Sequence, residues 1–440
     1  MGPRSYSEHN QTLAMFSMEV ATENMRAASA HLHELRGVGP TEVIDIAVTC
    51  DGTWSKHGFT ATHGAVMVIS WESGQVLDFE IKSKRCSVCA RNKMDEQSEE
   101  FAEWWDGHQA VCEANHAGSS PAMECNAVVD IWRRSEESLH LRYTDIICDA
   151  DSKTISYLND LKPYGEEVTI AKHECVGHVQ KRLGTRLRAV KKVINQDKKT
   201  TREKLKTLKD QLQDLKEKAK GKGKIGKGKG KQQKEDKAVK NIQAEIDAIT
   251  LTMVKGVLNE KTVDLLQVYY GNAIRGHSND LEGMKQACWA VFYHSISTDE
   301  KPLHHCCPEG ADSWCKFQRA VALHQNAPPH STRIPADLEQ YIKPVFAALC
   351  TPELLEKCLL GATQNRNESF NNLVWARAPK TEFVTRPTVD IAVSQAVIIF
   401  NSGQQALLPV MERMKMNPGP LCRAHLASAY TSGGIECNVH

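Results

Sequence analysis

The chain has 440 residues, a formal net charge of +1, 25% charged and 41% hydrophobic residues, the balance of an ordinary soluble globular protein with room for two or three domains. The total charge points to no polyanionic partner, so any such partner must be read from the distribution of charge. No apolar run approaches a membrane span, and no basic-then-apolar leader opens the chain, so an intracellular protein with reduced thiols is expected. Fifteen cysteines in that setting point to metal ligation or buried thiols rather than disulfides.

Residues 1–40 read as a helical lead-in, with Leu13, Phe16, Val20, Met25, Ala28, Leu32 and Leu35 at helical spacing and Gly37-Val38-Gly39-Pro40 closing it. The stretch Val43–Trp54 (VIDIAVTCDGTW) follows. Ile44, Ile46 and Val48 alternate among β-formers, and Gly52 breaks the strand, which leaves Asp51 at its end. Strands over Ala65–Ser70 and Val76–Lys82 come next, joined by a turn at Glu72-Ser73-Gly74. A cysteine-bearing insert runs from Cys86 to His116, then a helix begins at Ser119-Ser120-Pro121 with Met123, Ala127, Val128, Ile131 and Trp132 on one face. Leu141–Asp149 (LRYTDIICD) is a fourth strand that again ends in an acid. Ser152–Leu161 is expected to be a helix, Glu167–Ala171 a fifth strand, and His173–Lys192 a basic helix.

Beyond Ile194 the composition shifts. Leu205, Leu208, Leu212 and Leu215 form a seam that Val239, Ile242, Ile246 and Ile249 resume, so a helical hairpin is expected, its tip the Gly/Lys tract Ala219–Lys237, too polar to bury a core. Further helices are expected at Val263–Tyr270, Leu281–His294 and Ala336–Cys350, around a Cys/His/Pro-rich loop at 301–315. Gly361–Lys380 (GATQNRNESFNNLVWARAPK) then sets Phe370, Leu373, Val374 and Arg377 on one helical face with Glu368 in the first turns. A last helical region over Val389–Met414 precedes a tail.

The element order is that of a ribonuclease H-like α/β core, with acids ending strands one and four. Asp51, Asp149 and Glu368 would then converge. Three hard carboxylates on rigid elements suit two Mg²⁺ (or Mn²⁺) ions roughly 3.5–4 Å apart, which neutralise charge on both oxygens of a phosphodiester displacement. Asp151 rivals Asp149; Asp149 is preferred because it follows the apolar strand directly, while Asp151 with Ser152 reads as a helix N-cap.

Together CDGTW, CDADSK, KHECVGHVQKRLGTRLR, PEGADSWCKFQ and TQNRNESFNNLVW resemble the Mutator-like transposases, over roughly Glu42 to Met414. The resemblance implies a DDE-type ribonuclease H-like domain interrupted by an α-helical insertion between its second Asp and its Glu; the residues themselves add a zinc-bearing insert at 86–116. It also implies a nuclear enzyme that cleaves transposon ends and joins them to target double-stranded DNA, as a homodimer or larger assembly. Its triad maps onto Asp51, Asp149 and Glu368, and its Cys-x-x-His element onto Cys175-Val176-Gly177-His178. The implied layout is a helical lead-in to 40, core at 41–192 and 361–414, helical insertion at 193–360 and tail at 415–440. A domesticated DNA-binding derivative and another ribonuclease H-like nuclease are the alternatives.

Cys86-Ser87-Val88-Cys89 with Cys112-x3-His116 has the composition of a closed tetrahedral zinc site. Cys175, His178, His304 and Cys307 are a second candidate zinc set, of the kind with which the resembled family pins its insertion to the core; His305, Cys306 and Cys315 compete for the same roles. Lys181, Arg182, Arg186, Arg188, Lys191 and Lys192 on the basic helix could neutralise DNA phosphates or form a solvated face.

Overall fold

The computed structural model describes residues 3–55, 61–149, 152–220, 229–382 and 384–432. The chain divides into two compact units, one built from Met1–Cys175 and Ala362–His440, the other from Val176–Gly361.

The first unit opens with helix α1 (Pro3–Arg36), followed by strands β1 (Ile44–Trp54), β2 (His63–Ser70) and β3 (Val76–Ser83). Helices α2 (Glu99–His108) and α3 (Ser120–Leu139), strand β4 (Leu141–Ile147), helix α4 (Ser152–Leu161) and the short strand β5 (Ala171–His173) complete its N-terminal part. The sheet is mixed, in the order β3-β2-β1-β4-β5, antiparallel through β1, β2 and β3 and parallel from β1 to β4 and β4 to β5.

Strand alternation sorts the core into two layers. Ile46, Val48, Cys50, Val66, Val68 and Leu77 face α3 and α4, where Trp132 stands edge-on to Tyr143 at 5.1 Å and donates its indole N–H to the Tyr143 carbonyl. Ala65, Met67, Ile69, Phe79 and Ile81 face the other way, against Val20, Ala21 and Met25 of α1 and a larger group from the far end of the chain that includes Phe370, Val374 and Val393. β2 is therefore buried along its whole length.

The fifth strand differs from expectation. Val168 and Ile170 do pack into the core, but the Asn159 side chain satisfies both the N–H and the C=O of Ile170, and ladder pairing starts only at Ala171. The apolar alternation at 167–171 reflects burial beneath α4, with an amide standing in for a neighbouring strand.

The second unit begins with one 45-residue helix, α5 (Val176–Lys220), which joins the expected basic helix to the leucine seam without a break. The division falls at Cys175/Val176 rather than near 192, because nothing between Val176 and Lys220 interrupts helix formation. α6 (Lys229–Thr252) returns along it, and Leu205, Leu208, Leu212 and Ile246 close the hairpin. The Gly/Lys tract is shorter as a tip than expected: 219–220 end α5 and 229–237 open α6, and only 221–228 lie outside the described residues. Helices α7 (Glu260–Arg275), α8 (Leu281–Ile296), α9 (Lys316–Ala322), α10 (Glu339–Leu349) and α11 (Pro352–Glu356) follow; α7, α8, α10 and α11 pack around Tyr270, Phe292 and Phe346, while Phe317 of α9 joins a separate small cluster. Back in the first unit lie α12 (Asn365–Arg377), α13 (Arg386–Ser402), α14 (Leu408–Arg413) and α15 (Pro420–Ser432).

Candidate active site and Cys/His centres

Gly52 does not break the strand as expected: β1 runs to Trp54, with Asp51 opposite Met67 and Gly52 opposite Val66 of β2, because pairing with β2 carries the backbone through the glycine. The parallel ladder between β1 and β4, by contrast, ends with Thr49 opposite Ile147. Carried on by two residues, the same register sets Asp51 level with Asp149 and on the same face, because side chains repeat every two residues along a strand. The rival Asp151 lies outside the described residues.

Helix α12 docks along this strand end by one stripe of residues. The Gln364 amide donates to the Cys50 carbonyl at 2.9 Å, the Asn371 amide to Asp51 Oδ2 at 2.8 Å, and the Trp375 indole to Thr53 Oγ1 at 2.6 Å. Glu368 lies four residues after Gln364 and three before Asn371, so helical periodicity places it in the same stripe, exposed, beside the end of β1. Phe370 and Val374 anchor the opposite side of the helix in the core.

A fourth carboxylate was not singled out in the sequence. Glu124, in the first turns of α3, lies over Gly52 so closely that a Cβ there would meet its carboxyl carbon at 3.1 Å. Burial, then the charge of Asp51, then that of Asp149 push its pKa up to about 7. The only sequence signal was its position one turn into the helix that faces β1, a weak one among many surface glutamates. Burial drives the Cys50 thiol far up, and Cys148, Glu124 and Asp51 add to the shift. Lys380 supplies a cation here: its ammonium rides over the Trp375 ring at 4.9 Å and feels the Asp51 charge, although burial lowers its pKa.

Among the described residues, two groups of three or more potential ligands bring their ligand atoms within 4.8 Å of one another, and both are Cys/His groups that could hold a metal such as zinc. The carboxylates stand further apart, as like charges do.

The first group is Cys86, Cys89, His108 and Cys112, with His108 in the place expected for His116. His108 Nε2 lies 3.4 Å from Cys86 Sγ and 3.2 Å from Cys89 Sγ, and the Cys89 and Cys112 sulfurs are 3.5 Å apart. Sequence spacing could not choose, since His108 and His116 each stand four residues from Cys112. The 3₁₀ turn at Gln109–Val111 folds Cys112 back toward the end of α2. His116 is held elsewhere: its N–H and that of Asn115 both bond the Ser83 carbonyl, and its ring meets the Ser119 carbonyl and Asn126. At Cys86, burial opposes the thiolate, but N–H donors, that of Cys89 first, outweigh it and bring the pKa down to about 6.

The second group is His294, His304, Cys307 and Cys315, all within the second unit. His304 and Cys307 were expected; Cys175 and His178 are not members. Cys175 belongs to the first unit, where its sulfur accepts the Gln364 N–H, and His178 lies in the first turn of α5. Cys315 was a named competitor, His294 was not. His305 instead packs on Tyr293, with ring centroids 4.6 Å apart.

The basic helix is only partly available. Arg188 pairs with Glu260 and Asp264, and Lys191 with Glu260, in ion pairs that tie α5 to α7. Arg186 and Lys192 are exposed. Lys181 is exposed as well, and Arg182 half-buried.

A family model described as Mutator-like transposase matches residues 1–251, more than half of the 440-residue chain. The chain belongs to the Mutator-like transposase family. The match takes in Asp51, Glu124, Asp149 and the first Cys/His group of this transposase family member and ends before Glu368 and the second group. Neither the curated proteins nor the solved structures contain a match to it. No helix among the described residues is long and apolar enough to cross a membrane.

Proposed function

We propose that this Mutator-like transposase works by DDE chemistry on a ribonuclease H-like core, with Asp51, Asp149 and Glu368 as its metal-holding carboxylates. The observation that carries the reading is the placement of the acids: Asp51 stands in β1 where the Asn371 amide of α12 reaches it, Asp149 just past the end of β4, and both lie near enough to Glu124 for their charges to add to the burial that raises its pKa to about 7. The strand order 3-2-1-4-5 and the docking of the Glu368 helix on β1 agree with it.

The residues fit Mg²⁺ or Mn²⁺. The donors are hard oxygens, and the charges of Asp51 and Asp149, which add to burial in raising the Glu124 pKa, are ones a divalent cation would neutralise. When bound, such ions stabilise charge on the attacking and leaving oxygens of a phosphodiester. The chain supplies positioning. Asn371 fixes the Asp51 carboxylate from α12, and Gln364 ties that helix to the backbone of the preceding residue. Glu124 is the group able to take up or release a proton near neutral pH beside the reacting phosphate. Lys181, Arg182, Arg186 and Lys192 would attract the DNA backbone, while Arg188 and Lys191 brace the helix that carries them. Two further expectations belong to the proposal: action in the nucleus on transposon ends and target duplex, and function as a dimer or larger assembly.

The test is incubation of the purified protein with Mg²⁺ or Mn²⁺ and a duplex bearing the ends of its own element, with nicks mapped to the nucleotide. Asp51→Asn, Asp149→Asn and Glu368→Gln should each lower cleavage by about a thousandfold or more, since losing one ligand removes several kcal/mol of charge stabilisation. DNA binding by fluorescence anisotropy should persist. Wild-type cleavage without divalent ions, or full cleavage by Asp149→Asn, would refute the reading.

A further inference from the structure

We propose that His294, His304, Cys307 and Cys315 bind one Zn²⁺ ion tetrahedrally, and that this ion holds the irregular 297–335 segment of the second unit in place. The argument starts from edge lengths. Zinc bonds of about 2.05 Å to nitrogen and 2.3 Å to sulfur, at tetrahedral angles, require edges of about 3.3 Å for N···N and 3.6 Å for N···S. His294 Nδ1 and His304 Nδ1 are 3.2 Å apart. Cys307 Sγ lies 3.6 and 3.8 Å from those two nitrogens, and Cys315 Sγ lies 3.7 and 3.5 Å from them. Four hydrogen-bonding groups have no reason to adopt those five distances together; four ligands of one ion do.

The surroundings also suit a ligand set. Ser297 Oγ, fully buried, lies 3.0 Å from His304 Nε2 and accepts the Leu303 N–H. With the Nε2 proton shared toward that hydroxyl, the Nδ1 lone pair of His304 is left facing the other three ligands, the outer support that imidazole ligands ordinarily have. Phe317 stacks on the opposite side of the ring at 4.4 Å, and the Gln318 amide holds the His304 carbonyl.

The segment needs such a clip. Between α8 and α10 it carries one seven-residue helix; Ile334 and Leu303, near its ends, reach the main core, but its middle has only Cys307 and Cys315, with Cys306 and Phe317 against them, packed on Ala290 of α8. That is too little burial to offset the ordering of a loop this long. Yet the segment forms one wall of a cavity of about 1190 Å³, to which Pro302, Trp314, His330 and Arg333 contribute. Three ligands come from the loop and one, His294, from the last turn of α8, so an ion there joins an irregular wall to a regular helix.

Zinc content of the full-length protein after removal of loosely bound metal should be two per chain, counting the first Cys/His group. His304→Ala and Cys315→Ser should each lose one zinc, keep the other, and become protease-sensitive within 297–335. Cys175→Ser should keep both. X-ray absorption on the wild type guards against variants that fail to fold. With both groups filled, the average zinc should have about two and a half sulfur neighbours. A wild-type content of one zinc with three sulfur neighbours, or a Cys175→Ser variant that loses the same zinc as His304→Ala, would overturn the proposal.

Discussion

The carboxylate cluster and the Cys/His groups are both sites of converging ligands, but they are built in opposite ways. Asp51 sits within β1, Asp149 just past β4 and Glu368 on a helix packed against β1, so the fold fixes their positions whether or not their charges are balanced. Glu124 shows the strain of that arrangement in its raised pKa. The Cys/His groups draw their members mainly from loops and helix ends with little core of their own, and their ligand atoms close to tetrahedral spacing. One site is imposed on its ligands by the sheet; in the other the ligands impose order on the chain.

Asp149→Ala breaks that contrast first and hardest if the contrast is mistaken. It should lower divalent-dependent cleavage by about a thousandfold or more while leaving the melting temperature equal to wild type or higher, because one of several like charges is gone. A large loss of stability on thermal unfolding would make the acid a structural residue.

Cys89→Ser should show the reverse pattern. Protease sensitivity should rise sharply within 84–116, since a structural zinc site contributes folding free energy directly, while the sheet keeps its far-ultraviolet dichroism. Unchanged digestion kinetics would mean the insert stands without metal.

A smaller, more pointed effect separates the two histidines. His108→Ala should release the zinc of the first group, whereas His116→Ala should retain it and cost about 1 kcal/mol through its lost hydrogen bonds. Metal analysis of the two variants decides between them.

The smallest effect concerns pH. Glu124 binds its proton more tightly in the folded chain, with a pKa of about 7 against an ordinary 4.5, so between those values the unfolded chain carries fewer protons. Stability without divalent ions should therefore be greatest below pH 4.5 as far as this group is concerned, and should fall as pH rises to 7. Glu124→Gln should flatten that part of the profile in denaturant titrations; an unaltered slope would assign it to other groups.

The contrast also explains what the sequence made legible. Asp51 and Asp149 stood out because an acid closing an apolar run is a local pattern, although β1 in fact continues past Asp51 to Trp54, and the helix of Glu368 was legible because Phe370, Leu373 and Val374 mark its buried face. Glu124 did not, since its role comes from where α3 crosses β1, at Gly52. Cys86 and Cys89 announced themselves by spacing. Their histidine did not, because a single 3₁₀ turn decides between two residues equally distant from Cys112. His294 gave no signal, since it ends an expected helix beside Val291 and Phe292, ten residues before His304, with no short spacing to any of its partners. The fifth strand was misplaced because one asparagine can satisfy a backbone as a strand would.

The chain order of the first unit has a consequence for synthesis. Residues 176–361 are made between β5 and α12, about 10–40 s of elongation at roughly 5–20 residues per second. Throughout that interval the nascent polypeptide has its sheet, Asp51 and Asp149, but neither Glu368 nor α12 and α13, which together with α1 cover Met67, Ile69 and Phe79. A ribosome-bound intermediate of this kind exposes a sticky face and lacks an acid of the proposed triad. A chain released early, ending before residue 362, should accordingly partition to the pellet and leave DNA uncut, so that cutting awaits nearly complete translation.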